Sequence, residues 1–244
     1  MAYWVPYPMS DPLRIALVAE GPTDGVLIEA ALRSMLQDYP FILKQIFPEG
    51  SVGFGDVGSG WVGVYRWCHQ SATRGSGRLQ DDALVFQNYD LLLLHLDADV
   101  AGGRYDQGSI IPQASDGALP CEHGCPPPSD TTNALRAVLL SWCGEAAAPD
   151  QTVICMPSKS TEAWIIAALF PHDQAMAQGI ECYPTPERRL GQQLKAQRIR
   201  KRKRDYEDRA KEFEEAWPTL TSADGLGEAH RFQFEFLEAL PGLE

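Results

Sequence analysis

The sequence has no run of eighteen apolar residues, which excludes a membrane-spanning helix by length and composition. Its first residues, Met1-Ala2-Tyr3-Trp4-Val5-Pro6, have neither the basic nor the apolar region of a signal peptide, so a soluble, cytoplasmic protein with no membrane partner is expected. Cysteine is sparse. Six thiols scattered between positions 68 and 182 make no disulfide framework in a chain of 244 residues, and reduced cysteines are expected. The P-loop pattern G-x-x-x-x-G-K-[ST] is missing, and no internal repeat is visible. One motif is present only by letter. Gly53-Phe54-Gly55-Asp56-Val57-Gly58 satisfies G-x-G-x-x-G, but it follows the second strand rather than the first and places Asp56 where a pyrophosphate would lie, so a loop is the better reading.

With 44% hydrophobic residues the chain can build one large core, with or without an appendage. The stretch that organises it is Leu91-Leu92-Leu93-Leu94-His95-Leu96-Asp97-Ala98-Asp99. An apolar run this short, bounded by acids, reads as a strand buried on both faces. Ligands in open parallel sheets collect beyond the carboxyl ends of strands, and two carboxylates there repel unless a cation lies between them. Hard divalent ions, Mg²⁺ or Mn²⁺, suit such oxygen donors.

Arg14–Ala19 is a second compact apolar strand, running through Glu20-Gly21-Pro22-Thr23-Asp24 into an amphipathic helix over 25–37. Thr23 is placed to cap that helix, and Asp24 in its first turn is accounted for by the macrodipole as well as by chemistry. Phe41–Phe47 reads as a strand and 61–71 as a helix. Residues 100–129 form a long loop, and loops of that length are functional or disordered. It holds Cys121-Glu122-His123-Gly124-Cys125; zinc requires four ligands and no second close pair exists, which weighs against Zn²⁺ at Cys121, His123 and Cys125. A helix over 130–142, capped by Ser129 or Asp130, leads to a strand over 151–156. Ser158-Lys159-Ser160-Thr161-Glu162 then opens another helix, with a serine cap and a first-turn acid as the structural explanation.

The tail is polar and helix-biased, over 186–217 and again over 227–240. Although the net charge is −12, residues 186–204 carry Arg188, Arg189, Lys195, Arg198, Arg200, Lys201, Arg202, Lys203 and Arg204 against Glu187 alone, a local +8 that leaves −20 elsewhere. A solvated helix face explains such a stripe; so does a grip on phosphates, which the adjacent carboxylates favour.

Acids therefore stand at three strand ends: Glu20 with Asp24, Asp97 with Asp99, and Glu162 beside Ser160. The order E-x-x-x-D, D-x-D, S-x-E resembles the TOPRIM domain, and within it the OLD-type (overcoming lysogenization defect) nucleases, over roughly residues 13–170. The resemblance implies an α/β fold, a compact Rossmann-like parallel sheet flanked by helices with a C-terminal helical extension. It divides the chain into a TOPRIM core over 10–172, with a loop insertion at 100–129, and a basic extension over 173–244. It also implies Mg²⁺ or Mn²⁺ held by Glu20, Asp24, Asp97, Asp99 and Glu162, with Ser160 orienting a phosphate. The family's late lysine has three candidates here, Lys159 beside the acids and Lys195 or Lys201 by chain order. The expected activity is metal-dependent endonucleolytic cleavage of DNA, or of RNA including tRNA, in anti-phage defence, with nucleic acid as partner. The fused ATPase of those nucleases has no counterpart in this sequence, leaving a separately encoded ATPase or other defence subunit, and a homo-oligomer, open. Two alternatives stand beside it: a non-catalytic nucleic-acid-binding or regulatory subunit of a defence complex, and a nucleotidyl or phosphoryl transferase.

Overall fold

Leu91 to Leu94 have almost no contact with solvent, and a strand that apolar on both faces requires a layer of helices above and below it. The computed structural model, which describes residues 11–48 and 60–240, supplies both layers. The fold is α/β. Strand β1 (Leu13–Val18) passes through helix α1 (Pro22–Leu36) to β2 (Phe41–Phe47). Helices α2 (Gly60–Arg74) and α3 (Ala83–Phe86) precede β3 (Leu91–His95), and α4 (Pro128–Trp142) precedes β4 (Thr152–Cys155). Among the described residues, six α-helices follow: α5 (Thr161–Leu169), α6 (Gln174–Ala177), α7 (Pro186–Gly191), α8 (Lys203–Glu207), α9 (Ala210–Leu220) and α10 (Gly227–Glu238).

The strands form one all-parallel sheet in the order β2-β1-β3-β4. Ile15 to Val18 pair in register with Leu91 to Leu94, and Leu92 to His95 with Thr152 to Cys155. Parallel neighbours leave the sheet at the same edge, so the segments after β1, β3 and β4 emerge side by side. The period of two sorts the side chains. Ile15, Leu17, Leu91, Leu93, Val153 and Cys155 pack with α1, α5, α9 and α10, whereas Ala16, Val18, Leu92, Leu94 and Ile154 pack with α2 and α4. His95 and Asp97 continue the first of these series beyond the last leucine.

Several local expectations need correction. The cap of α1 is Gly21, not Thr23; Pro22 fits the first helical position because its missing N–H would find no intrahelical acceptor there, and the Asp24 carboxylate accepts from the Gly21 N–H at 3.0 Å. Likewise α4 starts earlier than expected, with Pro127 at the cap and Ser129 and Asp130 inside the helix. Ser160 does occupy the cap position of α5, but its hydroxyl makes no capping bond. The helix-biased stretch over 186–217 is divided into α7, α8 and α9. Five consecutive cations at 200–204 repel one another and oppose the positive end of a helix dipole, which accounts for the gap before α8. Finally, the cysteines are not all reduced: Cys125 and Cys182 are joined in a disulfide. They lie 57 positions apart in the sequence, and only the folding of the long loop against the tail brings them together. The glycine pattern at 53–58 lies outside the described residues.

The tail shares the core of the sheet. Tyr206, Phe213, Trp217, Phe232 and Phe236 are buried in the same apolar cluster as α1 and α5.

Candidate metal centre

Three adjacent strand ends deliver the acids to one place. Glu20 follows β1, and its Oε1 accepts the backbone N–H of Asp97 after β3 at 2.8 Å. The loop after β3 is then fastened to the loop after β4: the Ala98 N–H donates to the Pro157 carbonyl at 3.1 Å and the Asp99 N–H to the Lys159 carbonyl at 3.0 Å. Thr161, at the start of α5, holds two further acids, donating its N–H to Asp97 Oδ1 at 3.2 Å and its hydroxyl to Asp24 Oδ1 at 2.8 Å. The first turn of α1 is itself tied to β2, where Gln45 Nε2 donates to the Gly21 carbonyl at 3.3 Å. Helix α2 begins against the same corner, the Gly60 N–H donating to the Glu20 carbonyl at 3.0 Å.

Glu162, in the first turn of α5, is wholly buried. Its Oε1 accepts from the Tyr206 hydroxyl of α8 at 2.6 Å and lies 3.9 Å from Lys201 Nζ, while its Oε2 has no hydrogen-bond partner. Asp24 and Asp97 are buried, Glu20 is partly so, and Asp99 is the most open of the five. Beneath them lies His95, fully buried, with Nε2 3.3 Å from Asp97 Oδ1 but without hydrogen-bond geometry, so that both ring nitrogens are unpartnered. Donor atoms of Asp24, His95 and Asp97 all fall within 4.8 Å of one another. The Ser160 hydroxyl is buried and unpartnered too.

Assembling these carboxylates has an electrostatic cost that their acidities register. Burial, and then the charge of Asp97, push Glu20 well above the ordinary carboxylate range. Burial likewise raises Asp97 strongly, reinforced by Asp24, Glu162 and Asp99. Asp99 is raised by desolvation against the pull of Lys201 and Lys159. For Lys201, burial opposes the charge, but Glu162 and Glu187 more than offset it and hold the ammonium above its usual pKa. A cluster that drives protons onto its own carboxylates is one a divalent cation would neutralise, and oxygen donors in this number fit a hard or borderline ion.

All five acids proposed from the sequence thus meet at one rim. Of the candidate lysines, Lys201 reaches Glu162, Lys159 is held by Glu122 Oε1 at 2.9 Å, and Lys195 is exposed without an ion pair among the described residues. The basic stretch is mostly free as well: Arg189 pairs with Asp173, Lys201 with Glu187 and Lys203 with Glu207, while Arg188, Arg198, Arg200, Arg202 and Arg204 are exposed with no ion pair among the described residues. Cys125 is consumed by the disulfide, so the Cys121, His123 and Cys125 set cannot offer a thiolate pair, and burial pushes the Cys121 thiol up to about 11. Sequence reasoning missed His95, Thr161 and Tyr206. His95 was within reach, since it stands two residues before Asp97 and so faces the same way along a strand; nothing in the sequence pointed to Tyr206, which is 44 residues from its partner. No family model, curated protein or solved structure matches the chain.

Proposed function

We propose that the chain is a Mg²⁺- or Mn²⁺-dependent nuclease of the TOPRIM type, acting on nucleic-acid phosphodiester bonds in anti-phage defence. The observation that carries this reading is the convergence of Glu20, Asp24, Asp97, Asp99 and Glu162 on the carboxyl rim of a single parallel sheet. Glu20, Asp97 and Asp99 would hold one ion, and Asp24 with Glu162 would help hold a second. Ions held by these residues would supply an activated water nucleophile and neutralise charge on the leaving oxygen.

The chain's own groups do the rest. The Asp97 N–H fixes the Glu20 carboxylate and Thr161 fixes Asp24 and Asp97, so the donors are held in place before substrate arrives. Tyr206 holds one oxygen of Glu162 and leaves the other buried without a hydrogen-bond partner. Lys201, charged and 3.9 Å from Glu162, is the lysine nearest a member of the cluster and would stabilise charge developing on the phosphoryl oxygens; Lys159 is the second candidate, and each also pairs with a carboxylate outside the cluster, Glu187 and Glu122 respectively. Ser160, its hydroxyl free, is available to orient a phosphate. The exposed cations of 188–204 grip the backbone without reading bases. This reading also places the protein in the cytoplasm. No helix among the described residues is long and apolar enough to cross a membrane, although in that compartment the Cys125–Cys182 bond would face reducing thiols.

The test is to incubate the purified chain with plasmid DNA and with RNA in Mg²⁺ or Mn²⁺, with and without EDTA. Cleavage is expected only with metal, and Asp97→Asn and Asp99→Asn are each expected to reduce it by about 10²–10³-fold or more while the circular-dichroism spectrum is unchanged. Full activity in either variant would remove the assignment.

A further inference from the structure

His95 is the one member of the cluster for which a carboxylate-only centre has no use. It sits on β3 two residues before Asp97, wholly excluded from solvent, with both ring nitrogens lacking a partner. A buried polar group left unsatisfied is destabilising, and an apolar residue in its place would continue the leucine run at no such cost. Contact with Asp97 does not account for it, because Nε2 approaches Oδ1 to 3.3 Å without the geometry of a hydrogen bond. What the position does offer is a nitrogen lone pair beside two carboxylates: Asp24, His95 and Asp97 can each supply one donor atom from within 4.8 Å of the others.

We infer that Asp24, His95 and Asp97 form an inner cation site that selects a first-row divalent transition ion over Mg²⁺. The inference rests on the proposed metal-dependent reading and names the class of ion that the inner position takes. Two properties of the donor set argue for it. An imidazole nitrogen suits Fe²⁺, Co²⁺ or Zn²⁺ far better than Mg²⁺, whose affinity is for oxygen, and Mn²⁺, the weakest of the first-row series, still takes nitrogen more readily than Mg²⁺ does. Mg²⁺ also dehydrates reluctantly and keeps several waters, whereas all three donors here are at least nine-tenths buried, leaving little access for them. The outer position, built from Glu20, Asp97 and the exposed Asp99, is the one suited to a hydrated Mg²⁺.

The full chain, titrated with Mn²⁺ in the presence of excess Mg²⁺, is expected to retain one Mn²⁺ per molecule by electron paramagnetic resonance. Its electron spin echo is expected to carry the ¹⁴N modulation of a coordinated imidazole. His95→Asn should abolish that modulation and weaken Mn²⁺ binding by at least about 10–100-fold, the loss that disturbing a ligand's outer partner alone brings. If that variant does not fold, Asp24→Asn is read in the same way and should weaken the nitrogen-modulated signal. Asp99→Asn, which removes an outer donor, should abolish cleavage and leave the nitrogen signal intact. Mn²⁺ displaced by Mg²⁺ without preference, or bound with no nitrogen modulation, overturns the inner site even where cleavage is observed. A nitrogen-modulated ion in a chain that cleaves nothing overturns the nuclease reading instead.

Discussion

Glu20, Asp97 and Asp99 all have carboxyl groups raised above their ordinary range, by burial first and by one another's charge second. The consequence for stability has a definite sign. A raised carboxyl pKa means that the folded chain binds more protons than the unfolded one, so the stability these three groups contribute to the metal-free protein is fully present below the unfolded carboxylate value of about 4 and is lost as pH climbs through the raised values, whereas Asp90, Asp106 and Asp173, held below the usual range, act in the opposite sense only at lower pH. Divalent metal should reverse the trend, adding most to the melting temperature at the highest pH, where protons no longer compete for the donors. Glu20→Gln keeps an acceptor for the Asp97 N–H while removing one of the crowded charges. In EDTA at neutral pH it should raise the urea midpoint by the equivalent of about 0.5–2 kcal/mol, as relief of a functional strain commonly does. A metal-free chain that gains stability between pH 5 and 8 would show that these acids are not crowded. The acids themselves could be read from the sequence because each follows an apolar run, where a charge has no packing role. His95 could not be read so directly, since it lies inside the run and passes for part of the core.

At the scale of elements, the strands carried strong signals and the tail carried weak ones. β1, β3 and β4 are apolar runs buried on both faces; α7 and α8 are short and separated by cations whose repulsion a propensity reading does not weigh. Yet the tail reaches the centre. Helix α8 places the Tyr206 hydroxyl 2.6 Å from Glu162, an interaction spanning two elements that share no pattern in the sequence. Tyr206→Phe leaves Glu162 buried with neither oxygen hydrogen-bonded and should cost about 1–3 kcal/mol of stability in a denaturant titration. Because Tyr206 positions Glu162 without itself entering the cluster, the variant should keep cleavage activity but require more metal for it. A variant with unchanged metal dependence would reduce Tyr206 to a packing residue.

Over the whole molecule the charge is divided between a strongly acidic body and one basic stretch, and Lys201 joins the two by pairing with both Glu187 and Glu162. A polyanion would be repelled by most of this surface and drawn to residues 188–204, whose near end lies beside the carboxylate rim, so attraction and positioning come from the same segment. The segment is also fixed to the body at several points: Arg189 is held by Asp173, Ile199 is buried, and α7 and α8 at its two ends pack against α5 and α1. Cations anchored in this way without acidic partners of their own are free to displace counterions from phosphates. Replacing Arg198, Arg200 and Arg202 together by Gln removes three exposed charges from the basic stretch without touching Lys201. Binding of duplex DNA should then weaken at low salt, and the slope of log affinity against log salt should fall by about 0.9 for each phosphate no longer neutralised, or about 0.7 on a single strand. A fluorescence-anisotropy titration across salt concentrations measures both quantities. An unchanged slope would mean that the stripe is a solvated surface, and that any nucleic acid reaching the carboxylates is held by other groups.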